Sequence, residues 1–295
     1  YEYASSFSEG HALIKQNNRY GFIDKSGKPI CPVKYDAAKL FSDGLAAVKY
    51  DKTWGFINFS GNEIIPLKYD QVKSFSEGIA AVNRDNKWYF IDKDGRVIFE
   101  TGYEVIDSFS EELGLIVKFD DVEDDDDYGT DYEEYYGFID KQGNIWINPE
   151  FEYAESFSEG LACVLKGKYG FIDQQGDMVI KEQYEDAYSF NEGLAAVKKN
   201  DKWGFIDIKG NTVIPLKFDE VLSFSDGLAA VSINNIWGYI DHMGNEVVPL
   251  NPPTYSRPAG RFCAGIAFVK NALLNSDSCI DLNGNELIVT KYGSY

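Results

Sequence analysis

Short apolar runs, four to six residues long and bounded by turn formers, recur along the chain. Leu194-Ala195-Ala196-Val197 and Trp203-Gly204-Phe205-Ile206-Asp207 are rich in β-branched and aromatic residues, as strands are. Alternation in the second run puts Trp203, Phe205 and Asp207 on one face and Gly204 and Ile206 on the other. Lys199-Asn200-Asp201-Lys202 between them is a polar connector of hairpin length. After Asp207, Ile208-Lys209-Gly210 predicts a type I turn opened by Asp and closed by a left-handed Gly, which releases a third strand at Thr212-Val213-Ile214-Pro215. Pro215, like Pro32, Pro66 and Pro249, is expected to end that strand, where a missing amide donor matters least. The segment from Leu216 to Phe224, apolar at Phe218, Val221 and Phe224, reads as a bulged fourth strand, with a short helical turn as the alternative. It leads into a second glycine turn at Ser225-Asp226-Gly227.

This pattern repeats through the chain. The Phe of Phe-Ser-Glu/Asp-Gly marks it at Phe7, Phe41, Phe75, Phe109, Phe157, Phe190 and Phe224, with a weak eighth at Phe262; the spacings are 34, 34, 34, 48, 33, 34 and 38. The fourth unit therefore carries an insertion. Units fall at about 1–34, 35–68, 69–102, 103–150, 151–183, 184–217, 218–251 and 252–295, a single repeat array over 1–295 whose acidic insertion spans 120–134. Tetratricopeptide repeats share the period, but the pattern within a unit is that of strands. The predicted fold is all-β, an antiparallel meander of three to four strands per unit, stacked as an open solenoid-like superhelical array. A seven- or eight-bladed β-propeller is the alternative. Two features favour the array: the short connection from Pro215 to Phe218, and the divergent last unit, which has Asp277-Ser278-Cys279 where Trp-Gly-Phe is expected.

Glycine in mid-strand costs about 0.5 to 1 kcal/mol relative to Ala, so its recurrence at Gly21, Gly55, Gly137, Gly170, Gly204 and Gly238 needs a cause. The expected one is a ring from a neighbouring unit lying over the missing side chain, with a local departure where Tyr89 replaces Gly. Trp54, Trp88, Trp203 and Trp237, with Tyr20, Tyr136 and Tyr169 in the same slot, are expected to form the inter-unit core. A register-matched row of exposed rings for sugars or quaternary ammonium groups is the competing reading.

Lys202-Trp203-Gly204-Phe205-Ile206-Asp207, Phe224-Ser225-Asp226-Gly227-Leu228-Ala229 and Val213-Ile214-Pro215, with their copies, resemble the WG-repeat (KWG) proteins, a family found mainly in bacteria. The resemblance covers nearly the whole chain and implies a β-rich tandem array of variable copy number with no general catalytic activity. Lys87-Trp88-Tyr89-Phe90-Ile91-Asp92-Lys93-Asp94-Gly95 is also similar to the hairpin of choline-binding repeats of cell-wall proteins, whose shorter period departs from this one.

Composition narrows the function. A net charge of −20, from 28 Lys+Arg against 48 Asp+Glu, argues against nucleic acid and anionic membranes. No run approaches the roughly 18 apolar residues of a membrane helix, so no membrane insertion is expected. The chain begins at Tyr1 instead of Met, which reads as a processed or trimmed form and leaves export and cytoplasmic residence equally open. Cys31 and Cys163 occupy core slots; Cys263 and Cys279 are candidates for a bridge, with buried thiols as the alternative.

Catalysis finds little support. His11 fits a strand slot, His242 a solvated turn, and neither has a nucleophile in a recognisable context. Asp24, Asp92, Asp140, Asp173, Asp207, Asp241 and Asp281 recur once per unit, with Asn58 in the second, as turn formers do and catalytic residues do not. The unrepeated feature is the acidic insertion. Between Asp120 and Glu134 stand ten acids and no Lys or Arg, and Asp124, Asp125, Asp126, Asp127, Asp131, Glu133 and Glu134 are candidates for docking a basic protein partner. A solvated loop without a partner is the plainer reading, and calcium, lacking an Asp-x-Asp-x-Asp-Gly arrangement, would bind there only weakly. No cofactor is expected. The chain reads as a monomeric, non-enzymatic β-repeat scaffold for protein–protein interaction; the alternative is a cell-envelope module binding glycan or choline through its aromatics.

Overall fold

A two-residue hairpin turn follows the right-handed twist of its strands only if both turn residues take positive φ, and Asn and Asp reach that region at little cost. Asn200 and Asp201 do so, at 53° and 57°, closing Ala195–Lys199 on Lys202–Ile206. The turn at Ser225 is built alike: Asp226 and Gly227 have φ of 52° and 84°, and Ser225 and Leu228 exchange backbone bonds of 2.9 and 3.2 Å. The turn after Asp207 has the expected type I form. Gly210, at φ 81°, donates its amide to the Asp207 carbonyl at 2.9 Å, while the Asp207 carboxylate accepts the Lys209 and Asn211 amides at 2.9 and 2.8 Å.

These turns make a repeat into an antiparallel meander. In the sixth repeat its strands are Asp186–Ala187, Ala195–Lys199, Lys202–Ile206 and Thr212–Phe218, hydrogen-bonded in that order. The structure is a computed structural model that describes residues 1–105, 107–121, 132–250, 255–258, 261–271 and 276–290; no helix occurs among them. Packing divides the chain into two units, Tyr1–Phe151 and Glu152–Tyr295. The first holds sheets over 3–24, 37–69, 71–101 and 104–151, the second over 153–184, 186–218, 220–248 and 255–290. The first sheet has three strands, with isolated pairings of Tyr20 with Tyr35 and Ile23 with Pro29 in place of a fourth. The last two sheets are joined by the pairing of Trp237 with Tyr255.

Sheets of this kind are blades of a β-propeller, so the alternative architecture is the observed one and the open solenoid-like array is corrected. In a solenoid each repeat adds strands to sheets that run the length of the stack; here each repeat closes its own meander, which is how a propeller is built. The eight blades stand four in each unit. The short connection from Pro215 to Phe218 is no crossing between sheets. It lies inside the strand Thr212–Phe218, and the next sheet begins at Glu220–Val221.

The mid-strand glycine has a different cause from the expected one. Trp203 pairs with Phe218 and Phe205 with Ile214, so the fourth strand carries two extra residues opposite Gly204. A Cβ on Gly204 would lie 2.6 Å from the Ile214 carbonyl oxygen and 2.8 Å from the Pro215 carbonyl carbon and the Leu216 nitrogen. The close approach is therefore made by the repeat's own backbone, bulging over the glycine, and not by a neighbour's ring. Gly55, Gly137 and Gly170 meet the same obstruction, from Ile65, Ile147 and Ile180 onward. Pro66, Pro149 and Pro215 sit within these bulges instead of ending strands, because a bulged residue has no ladder partner awaiting its amide. Tyr89 removes the bulge: Trp88 pairs with Thr101, Tyr89 with Glu100 and Phe90 with Phe99, one to one.

Between successive sheets of each unit lies an aromatic layer. Phe205 meets Phe224 of the next repeat edge to face at 4.9 Å, in a cluster with Trp203, Ile214, Phe218 and Val221. Phe22–Phe41, Phe56–Phe75 and Phe171–Phe190 repeat the contact at 4.9, 4.8 and 5.0 Å. The Phe of Phe-Ser-Glu-Gly thus plugs the face of the preceding repeat.

Candidate functional site

Many of the carboxylates behind the net charge are occupied as acceptors in turns. Glu185, at the bend just before the first strand of its repeat, accepts the Asn200 and Asp201 amides at 2.8 and 3.0 Å and so caps its own central hairpin. Those two amides hold the Glu185 carboxyl below its usual range. Within each unit the acid of the Phe-Ser-Glu/Asp-Gly turns reaches the next repeat instead. Glu9 accepts the Asp43 and Gly44 amides at 3.0 Å each, Asp43 the Gly78 amide at 2.6 Å, and Asp226 the Gly265 amide at 2.8 Å. The serine of the motif adds a second stitch, with Ser8 Oγ donating to the Phe41 carbonyl at 2.7 Å and Ser225 Oγ to the Phe262 carbonyl at 2.6 Å. Carboxylates so engaged are structural.

The aromatic series is also largely consumed. Trp88, Trp203 and Trp237 are buried, and Trp54, Tyr20, Tyr136 and Tyr169 are half-buried at the margins of the inter-repeat layers. Lys15, Lys49 and Lys73 hold their ammonium groups over the Tyr20, Trp54 and Trp88 rings at 5.4, 5.8 and 5.8 Å. At these three rings the face a quaternary ammonium ligand would use is taken by the chain's own cation.

His242 is not simply solvated, since it stacks on the Phe224 ring at 4.4 Å; His11 stacks on Phe59 at 4.7 Å. Cys31 and Cys163 are buried, and burial pushes both thiols up, as packing residues require. Cys263 and Cys279 are not bridged; Cys263 is exposed and Cys279 half-buried. Among the described residues no group of three or more His, Cys, Asp or Glu is placed to hold a metal.

What departs from the repeat is the central hairpin of the fourth blade. Its strands, Gly114–Asp121 and Tyr132–Ile139, are eight residues each. Where the second repeat turns after pairing Tyr50 with Thr53, the fourth continues through Phe119–Glu134, Asp120–Glu133 and Asp121–Tyr132. The first and last residues of the acidic insertion therefore belong to an arm of paired strands. Phe119 and Tyr132 are 47% and 56% exposed, their rings edge to face at 6.5 Å. Glu133 and Glu134, both exposed, accept from the Tyr135 and Tyr136 hydroxyls at 2.5 and 2.8 Å. Burial, and then this bond and the Glu134 charge, push the Tyr136 hydroxyl up to about 12, so it stays a donor. Of the candidate docking residues, Glu133 and Glu134 stand on the arm, while Asp124, Asp125, Asp126, Asp127 and Asp131 lie outside the described residues, as does most of the stretch considered for calcium. Phe119 and Tyr132 were missed because the sequence was read there for charge alone.

The repeat described as WG containing repeat matches residues 1–20, 20–54, 54–88, 90–122, 136–168, 169–203, 203–235 and 237–271. The chain belongs to the WG-repeat family. In this member the tryptophan closes an inter-blade layer and the glycine admits a bulge, so the WG pair itself is structural. No curated protein matches the chain. Among solved structures, this WG-repeat chain is similar to Hsv2p of Kluyveromyces lactis, at 11% identity and a TM-score of 0.48 over 85% of this chain and 94% of that one. It is similar to a prolyl endopeptidase at 11% identity and a TM-score of 0.49, over 82% of this chain and 47% of that one. A streptogramin B lyase gives 14% identity and a TM-score of 0.34, over 77% and 83%.

Proposed function

We propose that this WG-repeat chain is a non-catalytic protein-interaction scaffold, and that the arm of its fourth blade docks a basic protein segment. The observation that carries the reading is the arm itself: exposed Phe119 and Tyr132 rings set among the exposed Glu133 and Glu134 carboxylates, on a hairpin longer than its counterparts. Aromatic anchors surrounded by like charge suit a segment that carries Lys or Arg beside apolar residues. The engaged carboxylates elsewhere, and the buried or half-buried rings of the repeated Trp slot, support assigning recognition to the arm and not to the repeated motif.

The test is a calorimetric titration with a Lys/Arg-rich peptide containing Leu and Trp, against the intact chain and a chain whose residues 119–134 are replaced by an Asn-Gly turn. The intact chain should bind with an affinity that falls as salt is added, the shortened chain should not, and Phe119→Ala with Tyr132→Ala should weaken binding without changing its salt dependence. Equal binding by the intact and shortened chains overturns the proposal.

A further inference from the structure

The third blade, where Tyr89 replaces the glycine and the bulge is absent, has a cavity beside that residue. Tyr89 extends from the third strand of the third repeat toward the second repeat, packing against the cluster that holds Tyr69, Val72 and Phe75. Beside its ring is an open cavity of about 230 Å³, lined by Lys68, Tyr69, Arg84, Tyr89, Gly95 and Val97. That is below the roughly 300–1,000 Å³ of drug-sized sites, and suits a single ring.

The lining is cationic in a strongly acidic chain. The Lys68 ammonium lies 5.2 Å over the Tyr69 ring and has no carboxylate at ion-pair distance among the described residues. Arg84 bonds Asp85 through Nε at 3.2 Å, which leaves the terminal nitrogens of its guanidinium available. Nearby acids are already engaged: Glu100 pairs with Lys87 at 3.0 Å, and Asp70 accepts the Asp85 amide at 3.0 Å. Two cations on an anion-repelling molecule, with tyrosine walls and an apolar Val97 edge, match a ligand that is anionic at one end and flat at the other.

We infer that this cavity is a binding site for a small aromatic anion, a single ring bearing a carboxylate or a phosphate. The ring lies against Tyr89 and Val97, and Lys68 and Arg84 share the anionic group. The site is separate from the fourth-blade arm and stands or falls without it.

Benzoate and phenyl phosphate are titrated into the full chain at low salt by calorimetry, with inorganic phosphate and phenol as probes lacking one half of the ligand. At least one aromatic anion should saturate a single site and bind more tightly than either half-probe; which of the two binds better identifies the anionic group. Lys68→Ala and Arg84→Ala, at exposed positions, should leave the thermal midpoint unchanged and weaken binding about 10- to 100-fold each, the loss expected for a hydrogen bond to a charged group. Tyr89→Gly should abolish binding. The inference is overturned if neither aromatic anion saturates, if both cation variants bind as the parent does, or if inorganic phosphate binds as tightly as phenyl phosphate.

Discussion

The Glu159 carboxylate accepts the Gly193 amide at 2.8 Å, from one repeat to the next. A side chain on a tight turn thus serves as the acceptor for a turn on a different sheet. Removing it leaves the Gly193 amide to water at an exposed position. Glu159→Ala is expected to lower stability by about 1 kcal/mol, the usual worth of one such bond, seen as a lower urea midpoint at unchanged slope. Glu159→Gln, which retains an acceptor oxygen, should lose less.

Gly204 gives a sharper case. Its missing Cβ is the space that the Ile214–Leu216 backbone occupies, and backbone yields less readily than a side-chain tip. Gly204→Ala should cost about 1 to 3 kcal/mol, the range of an overpacked core, although alanine is otherwise the better residue in a strand. The thermal midpoint of the variant measures it; a midpoint at or above the parent's would contradict the bulge as the reason for the glycine.

Trp203 is 6% exposed and stacks on Tyr188 at 4.9 Å. Trp203→Ala is expected to cost about 3 to 5 kcal/mol, whereas Trp203→Tyr, the residue found in the same slot at Tyr169, should cost much less. Equilibrium denaturation of both variants would separate a packing role from a ligand role, since a ligand residue could be truncated without this loss.

Acid should loosen the outer turns. Hydrogen bonds from Asn211, Asn245 and Asn285 side chains, followed by backbone amides, hold the Asp207, Asp241 and Asp281 carboxyls below their usual range. Their folded values lie under the unfolded value of about 3.9, so they stabilise the fold above about pH 4. That contribution is lost as pH falls through the lowered folded values. Asn58 closes the same turn without a charge, accepting the Ser60 and Asn62 amides at 3.0 Å each. Combined Asp207→Asn and Asp241→Asn should therefore keep the turns but lower the neutral-pH midpoint, since the Asn211 and Asn245 side chains lose their acceptors, and flatten its decline below about pH 4, as followed by circular dichroism.

The strands, their turns and the repeat register were legible because each rests on chemistry within a few residues: Asn200-Asp201 for one hairpin, Asp207 to Gly210 for the outer turn. The Trp slot was legible as packing because Tyr exchanges with it at Tyr20, Tyr136 and Tyr169. What stayed hidden depends on register or on distant partners. The strand after Asp207 looks regular until Trp203 is seen to pair with Phe218, which moves the obstruction over Gly204 from a neighbour's ring to the repeat's own backbone. The acid in Phe-Ser-Glu-Gly looks like a solvated turn residue, since its partner lies 34 or 35 residues away. The arm was located by its charge, but the Phe119 and Tyr132 rings became apparent only once the ladder was seen to continue past the usual turn.

The stitch from Ser225 and Asp226 to Phe262 and Gly265 has a consequence for how such a chain grows. Within each unit the Phe of such a turn plugs back into the preceding repeat, while the acid, and in several repeats the serine hydroxyl, reaches forward to the next. A tandem duplication of one full period therefore supplies matched halves of a joint wherever its breakpoints fall. Copy number can change by whole repeats without any junction having to be invented, and novelty is left to insertions such as the one that lengthens the fourth hairpin.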